Sequence, residues 1–339
     1  MKIAIVKLSA MGDIIHAMVA LQFLKKQRPD LQIDWIVEKG FMGVLRDNPH
    51  IDTLLPLELK AAKKSPSLFL HQIKQSLEYR KNDYDLIIDA QGLLKSAVTS
   101  CLLGRKRVGF SKDSIREKIA SFCYKRHVMI PYHANTIDRN VKVIGAPLGV
   151  HITPEMIRAK EPFLFYRHDK KIEELKKRFD SYTVFVIGST WESRNYPKER
   201  YLELAEILKT PIVIAWGNDV ERQRAQWIAS RCKNAEVAPK VDLNGLKALI
   251  AHSSLLIGND TGPTHMAWGL NRPSVTIFGP TPTSRVYETP VNKVITSSSQ
   301  VDPYRLNKED YSIREIDPQN IANLAQSALA ADNTTGVSP

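Results

Sequence analysis

The segment Gly258–His265, GNDTGPTH, has the residue types that best suit the binding of a charged ligand. It follows the apolar run SSLLI, and Pro263 suits the first turn of a helix. A helix that begins after a strand presents unpaired N–H groups and a partial positive charge, which together bind a diphosphate. Asp260 can accept hydrogen bonds from sugar hydroxyls, and His265 follows one turn later. A capped turn with a core histidine is the alternative, but the complete strand-to-helix context favours a ligand site.

Two other strand ends in the same part of the chain carry polar side chains. Ser189, Thr190 and Arg194 follow the run VFVI, and Glu221 follows PIVIA. Hydroxyls and a guanidinium can hold phosphate oxygens, and a carboxylate can hold ribose hydroxyls. Each loop alone is more typical of a capped surface turn. Because three such loops would meet at one sheet edge, they favour a shared site.

The loop Ser9–Asp13 follows the first apolar run, KIAIVK, and places Asp13 at the start of a helix. From the loop alone, the simpler interpretation of Asp13 is a helix N-cap. A general base is the alternative, since ligands of parallel sheets bind at the ends of strands. Gly12 allows the tight backbone that either role needs.

The first half of the chain also carries a group of basic residues. Lys60, Lys63 and Lys64 follow the run DTLLPL, and Arg116 belongs to a second basic stretch. A solvated charge run is the ordinary interpretation of such residues. Together with the strand-end loop DAQGLLKS they would suit a phosphorylated acceptor. The triplet Asp83–Asp85 resembles a metal-binding DxD motif, but it precedes a strand, and we expect no metal there.

Strand-like and helical segments alternate along the whole chain, which predicts parallel sheets covered on both faces. The pattern restarts at YTVFVIG, so we expect two doubly wound α/β domains, residues 1–160 and 161–316. The linker falls near residues 150–180. A C-terminal helix at about 317–331 is expected to pack back on the first domain. A length of 339 residues fits two cores of ordinary size.

Composition and charge exclude several classes of protein. The apolar fraction of 43% and the charged fraction of 25% are those of a globular protein. The three cysteines form no CxxC pair, and no GxGxxG or Walker A loop occurs. The N-terminus is not expected to be a signal peptide, and no apolar run is long enough for a transmembrane helix, so any membrane contact would be peripheral. Of the net charge of +12, residues 1–150 carry 24 Lys and Arg against 14 Asp and Glu, which is +10 and predicts an anionic partner.

Several motifs in order along the chain resemble the heptosyltransferase I family of lipopolysaccharide core synthesis. The matching segments are VKLSAMGDIIHAMVAL, DWIVEKGF, DAQGLLKSA, the WG before an acidic helix, and NDTGPTHMAWGLNRPSVTIFGPT. The resemblance implies the GT-B arrangement, two Rossmann-like doubly wound α/β domains that face a central cleft. It implies an inverting transfer of heptose from ADP-L-glycero-β-D-manno-heptose to Kdo of Kdo2-lipid A. No cofactor is required in that reaction, since ADP-heptose is a co-substrate.

The resemblance also assigns roles by matching positions. Asp13 matches the catalytic base, and Arg194 matches a catalytic position where the relatives carry Lys. The donor positions are Ser189, Thr190, Arg194, Glu221, Val241, Asp260, Thr261, Gly262 and His265. The acceptor positions are Lys60, Lys63, Lys64 and Arg116. The resemblance implies that the basic first half contacts anionic lipid. We expect a cytoplasmic protein that is peripheral on the inner membrane. We expect it to be monomeric and to bind no nucleic acid.

Three alternatives remain open from the sequence. Heptosyltransferase II would share the donor and the fold but add the second heptose. A nucleotide-sugar epimerase would convert its donor without an acceptor. A nucleic-acid-binding protein would use the basic half, but it would leave the polar loops of the second domain unexplained.

Overall fold

The computed structural model describes residues 1–62 and 64–335, which fold as two compact units that divide between Phe165 and Tyr166. Each unit contains a six-stranded parallel sheet. The sequence prediction of two doubly wound α/β units is confirmed.

The first unit places its strands in the order β3-β2-β1-β4-β5-β6. Its strands are β1 (Lys2–Val6), β2 (Gln32–Glu38), β3 (Thr53–Leu57), β4 (Leu86–Asp89), β5 (Arg107–Phe110) and β6 (Arg126–Val128). Its helices are α1 (Met11–Met18), α2 (Ala20–Gln27), α3 (Met42–Leu45), α4 (Leu59–Ala62), α5 (Pro66–Arg80), α6 (Leu94–Leu103), α7 (Thr136–Gly145) and α8 (Pro154–Arg158). The apolar residues of β1 and β4 are fully buried, as expected for central parallel strands.

The second unit repeats this topology with the order β12-β11-β10-β7-β8-β9. Its strands are β7 (Thr183–Val186), β8 (Ile212–Ala215), β9 (Ala235–Val237), β10 (Leu255–Asn259), β11 (Ser274–Phe278) and β12 (Asn292–Thr296). Its helices are α9 (Lys170–Arg178), α10 (Lys198–Leu208), α11 (Asp219–Ala229), α12 (Leu243–Ala251), α13 (Gly262–Gly269) and α14 (Pro318–Thr335).

The strand order reverses direction once in each sheet, between β1 and β4 and between β7 and β10. Loops at the carboxyl ends of these neighbouring strands diverge to opposite faces of the sheet and leave a crevice, where ligands of such folds bind. The loops that carry Asp13 and Gln91 lie at the first crevice. The loops that carry Arg194 and Asp260 lie at the second.

The C-terminal helix α14 contributes to the core of the second unit. Its buried residues Ile321, Ala322 and Ala325 belong to the core of the second unit, where the helix packs on α10, β11 and β12. Its buried face is rich in alanine. Strands β11 and β12, which precede the helix in sequence, provide part of the apolar surface that covers this face.

The segment expected to be a linker is partly helical. Helix α8 begins after Thr153, whose hydroxyl accepts the N–H of Met156, and α9 begins after Asp169, whose carboxylate accepts the N–H groups of Lys171 and Ile172. Both helices are too short to produce a clear helical period in the sequence, which is why the segment had none.

Candidate active site

The carboxylate of Asp260 is the centre of the polar network in the second unit. It is 2% exposed and lies directly after β10. One oxygen accepts from Nε2 of His265 at 3.0 Å, and the other accepts from Oγ1 of Thr281 at 2.8 Å and from Nη2 of Arg194 at 2.8 Å. Arg194 also donates to the main-chain oxygen of Asp260. Four residues from three strand-end loops and one helix are therefore fixed relative to one another.

The ionisation of Asp260 follows from these contacts. Burial alone would raise the pKa of the carboxyl, but the hydrogen bond from His265 and the charges of Arg194 and Arg285 outweigh burial and lower the pKa below its ordinary value. Asp260 is thus a carboxylate at neutral pH. Its hydrogen bonds to protein groups hold Arg194 and His265 in place, a role that the sequence analysis, which assigned it to sugar hydroxyls, did not foresee.

Arg194 is held on a second side by an aromatic ring. Its guanidinium carbon lies 5.4 Å from the ring centroid of Trp191, a cation–π distance. Its side chain is 13% exposed. The positive charge is therefore presented from a fixed position at the end of β7.

The start of α13 is built as the sequence predicted. Thr261 is the N-cap residue, and Pro263 stands in the first turn, where a missing N–H costs no helical hydrogen bond. A Cβ on Gly258 would lie 2.7 Å from the Cβ of Val186 and 2.6 Å from Oγ1 of Thr264, so only glycine lets β10 approach this closely. The first-turn N–H groups of this helix lie at the crevice of the second sheet, where they are suited to bind an anion.

Glu221 contacts the loop that carries Ser189 and Thr190. Its carboxylate accepts the N–H of Gly217 at 2.7 Å and the side-chain amide of Asn218 at 2.8 Å. A Cβ on Gly188 would lie 2.2 Å from Oε1 of Glu221, so the carboxylate packs directly on the Gly188 backbone. The structure thus brings Glu221 and Ser189 to one place although they follow different strands.

Two serine hydroxyls in this region are buried without a hydrogen-bond partner among the described residues, those of Ser189 and Ser193. Buried hydroxyls are normally paired, and an unpaired one at a binding crevice is suited to an added acceptor such as a phosphate oxygen. Val241 lies between β9 and α12, where it packs on Gly245. The donor residues predicted from the sequence therefore follow four neighbouring strands, β10, β7, β8 and β9.

In the first unit, Asp13 lies in the first turn of α1 and is not the N-cap residue. The N-cap position is held by Ala10, whose N–H donates to Oδ2 of Asp13 at 3.3 Å. The N-cap interpretation of Asp13 is therefore wrong in position, although its carboxylate does satisfy a backbone donor at the helix start. The side chain is half-buried and follows β1 at the crevice.

The loop that carries Asp13 is fixed by the loop after β4. Oε1 of Gln91 accepts the N–H groups of both Leu8 and Ser9 at 3.0 Å. Gln91 is in turn positioned by Asp89, which is fully buried and accepts the N–H of Gln91 at 2.8 Å. Burial raises the pKa of Asp89 above its ordinary value, and hydrogen bonds, first that from Tyr124, oppose the shift.

Lys7 is a buried cation beside these carboxylates. Its ammonium donates to the carbonyl of Ala90 and to Oδ1 of Asn140, both at 2.8 Å. Burial lowers the pKa of Lys7, and the charges of Asp13 and Asp89 oppose part of that shift. Lys7 was not predicted as a site residue; it directly follows β1, and a lysine at the end of an otherwise apolar run is the signal that could have found it.

The acceptor residues predicted from the sequence are less closely grouped. Lys60 lines a cavity that Ser9 also lines. Lys64 and Arg116 are exposed, and Arg116 precedes Glu117, whose carboxylate accepts the N–H of Leu94 at the start of α6. Lys63 lies outside the described residues. Lys95, which belongs to the loop DAQGLLKS, donates to Oγ of Ser9 at 2.8 Å.

Other candidate sites receive no support from the geometry. Asp85 of the DxD triplet accepts the N–H of Lys2, at the amino end of β1 and away from the crevice. Within residues 1–62 and 64–335, no three His, Cys, Asp or Glu side chains are grouped so as to hold a metal ion. In the same residues, no helix has the length and hydropathy of a membrane span.

Each of the two Rossmann-type units has a crevice at its strand ends, where ligands of such folds bind. One crevice carries Asp13, and the other carries the start of α13 and the fixed Arg194. Comparison with known proteins agrees and is more specific. The chain belongs to glycosyltransferase family 9 (heptosyltransferase), whose family model matches residues 70–312. The chain is therefore a glycosyltransferase.

Individual relatives extend the similarity over nearly the whole chain. The chain is 36% identical to lipopolysaccharide heptosyltransferase 1 of Campylobacter coli over 96% of this chain and 98% of the relative. Its fold matches that of the E. coli heptosyltransferase WaaC with ADP-2-deoxy-2-fluoro heptose at a TM-score of 0.74 and 25% identity, over 93% of this chain and 98% of WaaC. E. coli ADP-heptose lps heptosyltransferase II matches at a TM-score of 0.72 and 19% identity, over 98% and 100%, which shows a shared fold.

Proposed function

We propose that this chain transfers L-glycero-D-manno-heptose from ADP-L-glycero-β-D-manno-heptose to Kdo of Kdo2-lipid A, with inversion at the anomeric carbon. The observation that carries the proposal is the similarity to lipopolysaccharide heptosyltransferase 1 along nearly the whole chain. The E. coli heptosyltransferase WaaC, with which the chain shares its fold and a quarter of its residues, has been solved with a fluorinated ADP-heptose.

The second unit binds the donor in this proposal. The start of α13, with Thr261 and Gly262, and the unpaired hydroxyl of Ser189 are suited to the diphosphate. Arg194, which Asp260 holds in place, supplies positive charge where the leaving ADP gains negative charge. Glu221 is suited to the ribose hydroxyls. Thr190, Val241 and His265 complete the donor contacts that the family resemblance assigns.

The first unit supplies the base. Asp13 takes the proton from the attacking hydroxyl of Kdo as its oxygen forms a bond to the anomeric carbon. The bond from that carbon to the diphosphate oxygen breaks at the same time, and ADP leaves with the electron pair. An inverting displacement of this kind needs one base and no covalent enzyme intermediate. Lys60, Lys64 and Arg116, with Lys63, bind the acidic groups of the acceptor.

The proposed acceptor favours a location at a membrane. Lipid A lies in a membrane, and the first 150 residues carry a net charge of +10 (24 Lys and Arg minus 14 Asp and Glu). Of the large apolar side chains that are exposed in the described part of the chain, all but Val220 and Tyr304 belong to the first unit. A basic surface with exposed apolar residues favours a peripheral position on the anionic cytoplasmic face of the inner membrane.

Mass spectrometry of the reaction products tests the proposal. We expect Kdo2-lipid A incubated with ADP-heptose and the protein to gain the mass of one heptose, with release of ADP. The same incubation without acceptor serves as the control and should leave the donor unchanged; conversion of the donor alone would instead identify an epimerase.

Addition of the second heptose is the second candidate function, because heptosyltransferase II has the same fold. An acceptor that already carries the first heptose separates the two activities. Product from this acceptor, with none from Kdo2-lipid A, would overturn the proposed assignment in favour of the second heptose.

A further inference from the structure

The first unit contains a cavity of about 500 Å³ that the donor chemistry does not use. It lies between α5 and α6, with α4 along one side. Its volume falls within the range of about 300–1,000 Å³ that is typical of small-molecule sites. The cavity is therefore large enough for a ligand and belongs to one unit.

Apolar side chains form two facing walls of this cavity. Leu94, Val98 and Leu102 line it from α6, where a spacing of four residues places them on one helical face. Phe69 and Ile73 line it from α5. Phe69, Leu94 and Val98 remain 52%, 47% and 45% exposed, so the cavity is open to solvent along its apolar side. An apolar surface of this kind marks a binding site when it is grouped and concave.

Polar and basic groups line another part of the cavity. Lys95 donates to Oγ of Ser9 at 2.8 Å, and both residues contribute to the lining with Lys60 and Glu38. The main-chain N–H of Lys60 donates to Glu38 at 3.1 Å, which fixes the start of α4 against the end of β2. Ser9 belongs to the same loop as Asp13. The cavity therefore combines apolar walls with two lysines next to the loop of the proposed base.

We propose that this cavity binds one acyl chain of the lipid acceptor, with the anionic head group held by Lys60 and Lys95. The inference rests on the proposed function, which supplies an acidic lipid as acceptor. Charge complementarity selects the occupant, because the basic groups match an anionic amphiphile, whereas an apolar peptide segment would need no lysines there. Binding of the chain brings the sugar of the acceptor to the loop that carries Asp13.

Binding of a fluorescent fatty acid tests the site without catalysis. The probe is 11-(dansylamino)undecanoic acid, which has an apolar chain and a carboxylate and becomes brighter in an apolar site. The test variant is Val98→Asp, which places a charge on an exposed position of the cavity wall. The matched control is Leu77→Asp, because Leu77 is exposed to a similar extent (42%) on α5 and does not line the cavity.

We expect the intact protein and Leu77→Asp to bind the probe with equal affinity and Val98→Asp to bind it at least tenfold more weakly. Equal binding by all three proteins would overturn the assignment. Absence of binding by the intact protein would also overturn the assignment and would favour an apolar peptide as the occupant of the cavity. Circular dichroism of each variant shows whether the fold is kept; if Val98→Asp fails to fold, Val98→Asn is measured in its place.

Transfer to two acceptors in detergent micelles connects the site to the reaction. The measured quantity is kcat/KM on Kdo2-lipid A divided by kcat/KM on the same acceptor with its acyl chains removed. We expect Val98→Asp to lower this ratio at least tenfold through KM, and Leu77→Asp to keep the ratio of the intact protein. An unchanged ratio in Val98→Asp would contradict the inference. Probe binding without transfer to either acceptor would contradict only the proposed function.

Discussion

At the scale of single residues, Asp260 carries the most interactions in the proposed donor site. Its carboxylate is buried and accepts from Arg194, His265 and Thr281. Removal of one partner from a buried ion pair costs about 3–5 kcal/mol, because the other charge is left without compensation. Asp260 therefore contributes to folding as well as to the site.

We predict that Asp260→Asn lowers the free energy of unfolding by about 3 kcal/mol at pH 7. The pKa of Asp260 is lowered in the folded protein, so its contribution is complete above the pKa of the unfolded chain, about 3.9, and is lost as the pH falls through the folded value. Denaturant unfolding should thus give a constant difference between the two proteins from pH 7 to about 5 and a smaller difference below about 4.

The control for this prediction is Glu236→Gln, which breaks the exposed ion pair with Arg178. Exposed pairs contribute less than about 1 kcal/mol, so this variant should remain close to the parent. A difference for Asp260→Asn that grows on acidification would contradict the ionisation state assigned to Asp260.

Some residues of this network could be predicted from the sequence, and others could not. Asp260, His265 and Ser189 could be proposed as donor residues from the sequence, because the strand-to-helix pattern that carries them is visible there. Thr281 was missed, because it follows β11 and reaches Asp260 only through the parallel pairing of β10 and β11. Gln91 was seen as part of a motif, but its bonds to Leu8 and Ser9 depend on the neighbouring positions of β1 and β4.

At the scale of elements, the loop after β4 positions the loop after β1. A single oxygen of Gln91 accepts two consecutive N–H groups, those of Leu8 and Ser9. Two backbone donors would lose their partner if this oxygen were removed, at a cost of about 1–3 kcal/mol for each buried group.

We predict that Gln91→Leu lowers kcat at least tenfold and leaves the Kd for ADP unchanged, since Asp13 loses its position while the second unit is untouched. Steady-state kinetics and calorimetric titration with ADP measure the two quantities. Gln91→Glu keeps an acceptor oxygen and should retain more of kcat than Gln91→Leu. Equal kcat in the two variants would mean that the hydrogen bonds do not position the loop.

Helix α11 and the loop after β7 meet at Gly188. We predict that Gly188→Ala weakens ADP binding at least tenfold, because the new methyl group would overlap Glu221 and displace its carboxylate. Gly217→Ala is the control, since its Cβ would lie 3.4 Å from the same carboxylate, near ordinary contact. Calorimetric titration with ADP compares the two variants, and equal affinities would exclude a role for the Glu221 position in donor binding.

At the scale of the whole molecule, positive charge and exposed apolar residues are concentrated in the first unit. The net charge could be counted from the sequence alone. The exposed apolar surface could not be predicted, because exposed and buried leucines follow the same helical pattern. Phe69 and Val98 were indistinguishable from core residues until α5 and α6 had been placed.

We predict that the protein binds vesicles that contain anionic phospholipid and that binding falls as NaCl is raised from about 0.05 to 0.5 M, because salt screens surface charges. Sedimentation with vesicles measures the bound fraction. Lys60→Glu with Lys64→Glu should weaken binding more than the control pair Lys177→Glu with Lys233→Glu, which changes the same charge in the second unit. Equal loss in both pairs would show that only total charge matters.

The proposal as a whole depends most directly on Asp13. Asp13→Asn keeps an oxygen that can accept the N–H of Ala10, so the start of α1 should persist while the base is lost. The measurement is a single-turnover reaction with saturating ADP-heptose and Kdo2-lipid A, together with the donor Kd of the same variant. The account predicts an unchanged donor Kd and a rate of heptose transfer reduced by about 10²–10⁴-fold. Transfer by Asp13→Asn at the rate of the intact protein would contradict it.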